Sequence, residues 1–132
     1  MQTKVENIKS AKLLVIKYRS FSIVKIKELY SSYLLSKKND WMQYSAIMEK
    51  FSGFGRLNTC SLCVEINRKF GTTLCSKCIY HDQIGEYYRC QTETYVDIMC
   101  ARTDEELVKT VHARADYIEG LIKEYELHGN KE

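Results

Sequence analysis

Four of the six cysteines fall into two short pairs, Cys60-x2-Cys63 and Cys75-x2-Cys78, with eleven residues between them. Two residues between cysteines let both sulfurs reach one tetrahedral ion, with the intervening amides turned towards the thiolates. Two such pairs supply four soft ligands, the donor set that suits zinc. A coordination sphere filled by protein keeps no open position for water or substrate, so the expected Zn2+ site is structural. Its binding energy becomes folding energy, on the order of 10 kcal/mol in small zinc domains. The competing readings are a redox dithiol, an iron–sulfur cluster and cysteines that simply pack. A thioredoxin-like dithiol needs a surrounding βαβ pattern, which is not legible here.

The ligand set has close alternatives. Cys60, Cys75 and Cys90 are fifteen residues apart, as are Cys63 and Cys78, and the pairs read alike as Cys-Ser-Leu-Cys-Val and Cys-Ser-Lys-Cys-Ile. Cys90 is therefore a candidate substitute ligand or a neighbouring spare thiol. His81, three residues past Cys78, is a further candidate, although an exposed or core histidine is the plainer reading. Cys100 closes a short expected helix and reads as a buried apolar residue.

No catalytic set accompanies the cysteines. A zinc deaminase needs His-x-Glu ahead of Pro-Cys-x-x-Cys, whereas this chain has no proline and no histidine before Cys60. Cys–His nucleophilic catalysis would have to join a spare thiol to His81, His112 or His128. His112 reads as a flank of a packing face and His128 lies near the terminus. The expectation is that the protein is not an enzyme.

The elements that must position these residues read as helices. Val5 to Tyr18 is ambiguous: Val5, Ile8, Ala11, Leu14, Val15 and Tyr18 form a helical stripe, but the Leu13–Ile16 run is strand-like. Helix is the preferred reading. Ser22 can cap a helix to about Lys37, with Ile26, Leu29, Tyr30, Tyr33 and Leu34 on one face. Asp40 can cap the next, in which Trp41, Tyr44, Ile47, Met48 and Phe51 recur before Ser52-Gly53-Phe54-Gly55 stops it. Val64, Ile66 and Phe70 suggest a short helix between the cysteine pairs, ended by Gly71. Residues 92–100 suggest another. Thr103-Asp104-Glu105-Glu106 forms a capping box, in which Thr103 takes the amide of Glu106 and the Glu106 carboxylate reaches back to the amide of Thr103. The helix it opens runs to about Leu127. Val108, Val111, Ala115, Ile118, Ile122 and Tyr125 lie along a narrow seam, suited to packing on helices 22–37 and 41–51 or to a homodimer through this C-terminal helix.

Charge is uneven. Residues 1–40 carry nine Lys/Arg against three Asp/Glu, residues 41–100 six of each, and residues 101–132 five basic against eight acidic, for a net charge of +3. Lys9, Lys12, Lys17, Arg19, Lys25, Lys27, Lys37 and Lys38 are the nucleic-acid-binding candidates, since clustered cations can neutralise phosphates. Helices 22–37 and 41–51 could pass for a helix-turn-helix. The plainer reading is a set of solvated lysines on a helical hairpin. No apolar run approaches a membrane span or a signal-peptide core. The expected location is therefore the cytoplasm, where thiols stay reduced and paired cysteines bind metal rather than forming disulfides.

On Cys60-Ser-Leu-Cys63, Cys75-Ser-Lys-Cys78 and the later Cys90, with Lys- and Tyr-rich helical flanks, the chain resembles small uncharacterised zinc-binding proteins encoded by phages. The resemblance covers under half of the chain. It implies a phage protein acting in a bacterial cytoplasm and implies no activity. Together these features define one domain of 132 residues: a basic helical part over 1–55, a zinc-binding centre over 56–100 and a long helix over 101–128. The expected fold class is mainly α, with a central four-cysteine zinc-knuckle site. The expected function is a zinc-stabilised regulatory module that docks on a host protein to inhibit or redirect it. The alternative is a nucleic-acid-binding regulator. The ten tyrosines suit protein contact, because tyrosine offers large, rigid contact area.

Overall fold

A computed structural model describes residues 4–33, 41–54, 60–72, 74–81, 83 and 89–129. Among these the chain is mainly helical, with no strand. The helices are α1 (Ile8–Arg19), α2 (Ile23–Tyr33), α3 (Trp41–Ser52), α4 (Ser61–Phe70), α5 (Glu93–Met99) and α6 (Asp104–Glu124). A 3-10 turn, Cys75–Lys77, follows α4, and a π turn, Tyr125–Gly129, extends α6.

The ambiguous N-terminal run is helix. Winding it at 3.6 residues per turn buries Ala11, Leu14, Val15 and Tyr18 and leaves Leu13 and Ile16 outside. A strand would have buried alternate residues instead. The Ser22 hydroxyl accepts from the Lys25 amide at 3.3 Å and starts α2, which buries Ile26 and Leu29. The expected continuation to Lys37, with Leu34, falls outside the described residues, as do the side chains of Tyr30, Tyr33 and Trp41. In α3 the expected face is buried at Tyr44, Ile47, Met48 and Phe51. Gly53, at φ 70°, then takes the left-handed conformation that stops the helix.

The capping box of α6 closes one residue off register. Glu106 donates its amide to the Thr103 hydroxyl at 3.1 Å as expected. Its carboxylate, however, accepts from the Arg102 amide at 2.8 Å rather than from that of Thr103. Of the seam on α6, Val111, Ala115, Ile118 and Ile122 are buried, while Val108 and Tyr125 pack at its edge. The seam is filled within the chain, chiefly by α1 and α5 with a smaller share from α2. Of the expected partners, helix 22–37 does reach the seam through α2, but the larger cover comes from α1 and α5, which were not expected there.

Much of the charge asymmetry is also spent internally. Arg19 holds Glu119 through both guanidinium nitrogens, at 2.8 and 3.0 Å, and reaches Asp116 at 3.0 Å. Lys12 pairs with Glu126 at 2.8 Å. The basic first helix and the acidic last helix therefore lie side by side. No helix among the described residues is long and apolar enough to cross a membrane.

Candidate metal centre

Each cysteine of the expected set sits at the edge of a short element. Cys60 is the N-cap residue of α4, and Cys63 lies in that helix's first turn. Gly71, at φ 76°, ends α4 and turns the chain back. Cys78 follows the 3-10 turn that begins at Cys75. The expected helix between the pairs is therefore present, but it starts at the first pair and packs through Leu62, Glu65 and Ile66. Val64 and Phe70, expected on its packing face, are exposed.

At the start of α4 a thiol occupies the place where a serine would cap the helix. The amides of Leu62 and Cys63 point at the Cys60 sulfur without closing a full cap bond. Together with the neighbouring Cys63 thiol, the largest influence, they lower Cys60 to about 6 against the cost of burial. Cys63 is pushed strongly up, first by its hydrogen bond with Cys60, then by burial and the negative charge of Cys60, Cys78 and Cys90. Cys78 is pushed up to about 11, first by burial, although the Tyr80 amide and Asn7 oppose this. The sulfurs thus lie within electrostatic reach of one another, where an unscreened second thiolate is disfavoured. A dication placed among them would remove that penalty.

Asn7 joins the two cysteine segments, and sequence reasoning missed it. It is fully buried. Its Nδ2 donates to the Cys78 sulfur at 3.1 Å and to the Leu62 carbonyl at 3.3 Å, while its Oδ1 accepts from the Ile79 amide at 2.9 Å. Asn7 also occupies the N-cap position of α1, yet makes no side-chain cap bond there. Its side chain is spent on the cysteine segments instead. An asparagine before an apolar-periodic run signals a cap, so sequence alone could flag the residue but not its role. The chain entry is further tied down by the Glu6 amide, which donates to the Lys77 carbonyl at 2.7 Å.

Arg114 was missed too, although an arginine beside Val111, Ala115 and Ile118 was visible on the packing face. It is 4% exposed. Its Nη1 donates to Thr94 at 2.8 Å and its Nη2 to the Cys90 carbonyl at 2.8 Å. The guanidinium lies over the rings of Tyr80 at 4.9 Å, Phe54 at 5.9 Å and Tyr117 at 6.0 Å. Its positive charge is one of the influences that lower Cys60.

The remaining candidates divide. Cys90 is half-buried, packs against the core and acts electrostatically on Cys63 and Cys78, so it shares the neighbourhood of the pairs. His81 turns its Nδ1 to the Cys78 carbonyl at 3.2 Å. His112 meets the Phe21 carbonyl through Nε2 at 2.8 Å, as a flank of packing. Cys100, expected to be buried, is exposed as the C-cap of α5. The Cys75 and His128 side chains lie outside the described residues. Among the described residues no three His, Cys, Asp or Glu side chains are placed to hold a metal ion, so the expected central zinc site is not shown. No disulfide joins Cys60, Cys63, Cys78, Cys90 or Cys100.

Three of the nucleic-acid candidates are engaged: Lys12 with Glu126, Arg19 with Asp116 and Glu119, and Lys25 with Glu28 at 3.0 Å. Lys9, Lys17 and Lys27 form no ion pair among the described residues, although Lys17 lies 5.3 Å over the Phe51 ring. Lys37 and Lys38 lie outside the described residues. The chain matches no protein-family model, no curated protein and no solved structure.

Proposed function

We propose that the chain is a zinc-stabilised binding module, with Zn2+ held by Cys60, Cys63, Cys75 and Cys78 and with Cys90 as the neighbouring substitute. The observation that supports the metal reading is Asn7, which donates to the Cys78 sulfur and to the Leu62 carbonyl between Cys60 and Cys63 and so ties the two cysteine segments together. A donor aimed at the buried Cys78 sulfur suits a thiolate on a cation. Four sulfurs would close the sphere, so the ion would hold loops in place rather than act on a substrate. In this reading the protein carries out no reaction of its own.

The proposed work of the module is docking on a protein, as a phage-encoded regulator in a bacterial cytoplasm would. Leu13 and Ile16 on α1 are 59% and 67% exposed, and Val24 on α2 is 65% exposed. A groove of about 530 Å3 beside Leu13 is lined by Leu14, Lys17, Glu49, Lys50 and Phe51 among others. Apolar floor and charged rim are the features of a contact surface. Nucleic-acid binding is the second reading, favoured by Lys9, Lys17 and Lys27 and weakened by the ion pairs that engage Lys12, Arg19 and Lys25.

Native mass spectrometry of protein purified from a cytosolic host without added metal tests the first part. One zinc with reduced thiols is the expected mass; a metal-free chain with paired disulfides would sink the reading. For the second part, capture from bacterial lysate should yield a stoichiometric protein partner. Binding to duplex or single-stranded nucleic acid that weakens steeply with salt would favour the alternative instead.

A further inference from the structure

A helix packed on a core by one side shows its other side to water, and on a surface helix that side is ordinarily polar. The outer side of α1 is not. With Ala11, Leu14, Val15 and Tyr18 buried, a turn of roughly 100° per residue sends Lys9, Leu13, Ile16 and Ser20 outward along one stripe. Leu13 and Ile16 are exposed at its centre. The stripe is a ridge between two grooves. On one side Leu13 and Lys17 share the groove of about 530 Å3 with Lys50 and Phe51 of α3. On the other, Ile16 of α1 and Ile122 of α6 line a groove of about 260 Å3.

The charge of this face has a sign. Helix α1 carries no acid. Among the described residues the two grooves are lined by five cations and three carboxylates, and Lys9 extends the ridge. Of the carboxylates, Glu119 and Glu126 are already held by Arg19 and Lys12, and Arg19 also holds Asp116 beside them. Positive charge is left in surplus. Lys9 and Lys17 are eight residues apart, roughly 12 Å along the axis at about 1.5 Å per residue.

We infer that this ridge is the seat of the docking proposed above and that its occupant is an acidic amphipathic helix of the partner protein. Apolar side chains of that helix, three and four residues apart, enter the grooves on either side of Leu13 and Ile16. Its Asp or Glu residues, two turns apart, meet Lys9 and Lys17. The inference rests on the protein-docking reading and adds the partner's chemistry. Other occupants fit less well. Phosphates would lie over two exposed aliphatic side chains. A bilayer surface would leave both grooves unfilled. A second copy presenting the same face would set lysine against lysine.

The probe is a helical peptide of about five turns, with leucines at spacings of three and four and glutamates flanking them. Its twin carries lysine for every glutamate. Fluorescence anisotropy measures both against the wild-type chain, L13D/I16D and K9E/K17E. The acidic peptide is expected to bind wild type at least about tenfold more tightly than its twin, and less tightly as salt is added. L13D/I16D is expected to abolish binding. K9E/K17E is expected to weaken it about tenfold and to turn the preference towards the basic twin. All four positions are exposed, so the folds should survive; if L13D/I16D does not fold, K9E/K17E decides. Equal binding of the two peptides, or binding that the folded variants leave unchanged, would overturn the inference. Wild-type protein that takes neither peptide overturns it too, and phosphatidylglycerol vesicles or a dimer lost in L13D/I16D would then identify the occupant. Lysate capture separates the two readings: a stoichiometric partner that L13D/I16D retains overturns this surface and leaves docking standing.

Discussion

The α1–α6 pair and the cysteine centre hold together by different means. α1 and α6 pack on each other, α1 burying Leu14, Val15 and Tyr18 and α6 burying Val111, Ala115, Ile118 and Ile122. Ion pairs from Arg19 and Lys12 close the edges. The cysteine centre has a ten-residue helix, one 3-10 turn and a handful of apolar side chains: Leu62, Ile66, Ile79 and Tyr80. Isolated helices of that length are marginal in water. The first region is stabilised by burial of apolar area. The second shares the same core through fewer side chains and adds the buried polar groups of Asn7 and Arg114.

Removing the proposed zinc should separate the two regions most sharply. Cys60→Ser or Cys78→Ser, or a strong chelator on the wild-type chain, is expected to release binding energy on the order of 10 kcal/mol and to melt the centre. Far-ultraviolet circular dichroism should retain the helicity of α1 and α6. Total loss of helicity would mean that the long helices depend on the centre too.

The complementary cut falls on the seam. Ile118→Ala removes a fully buried side chain and should cost about 2–5 kcal/mol. Denaturant melts should give the same cost for the zinc-loaded and the chelated protein. A cost that depends on zinc would merge the two regions into one cooperative unit. Asn7→Ala lies on the boundary between them. It leaves the Ile79 amide without its acceptor and the Cys78 sulfur without its donor. The expected loss is about 1–3 kcal/mol, with weaker retention of zinc against a chelator.

The smallest effect is electrostatic. Arg19, first, and then Lys123 hold the exposed Glu119 carboxyl down to about 2. A depressed carboxyl lends stability above its unfolded pKa and loses it as pH falls through the folded one. Glu119→Gln should therefore lower the melting temperature slightly at pH 7 and have no effect once pH falls below about 2. Added salt should shrink the effect at pH 7. An unchanged melting temperature at pH 7 and low salt would make the pair ornamental.

Local signals carried much of the fold into the sequence. Thr103 and Glu106 announce the start of α6 because a cap is chemistry between neighbours, and the spacing of Val111, Ala115, Ile118 and Ile122 is a property of one helix. The apolar run Leu13–Ile16 was harder, because four consecutive apolar residues fit strand and helix alike until a partner surface selects the face. The partner of the α6 seam was not legible at all, since periodicity says which face is buried and not what covers it. The same limit hid Asn7 and Arg114. Asn7 lies 71 residues from Cys78 in the chain, and its spacing carries no trace of the sulfur it meets. Arg114 stood on an apolar face, which is a signal of burial, but the groups that surround it come from four separate segments.

Hydrogen exchange, with and without a zinc chelator under reducing conditions, tests most directly whether the metal holds one region and packing the other. Chelation is expected to abolish protection over α4, the turn at Cys75–Lys77 and the Ile79 amide, while amides in the middle of α1 and α6 keep theirs. Protection over α4 and Ile79 that chelation does not change would contradict a centre held together by metal.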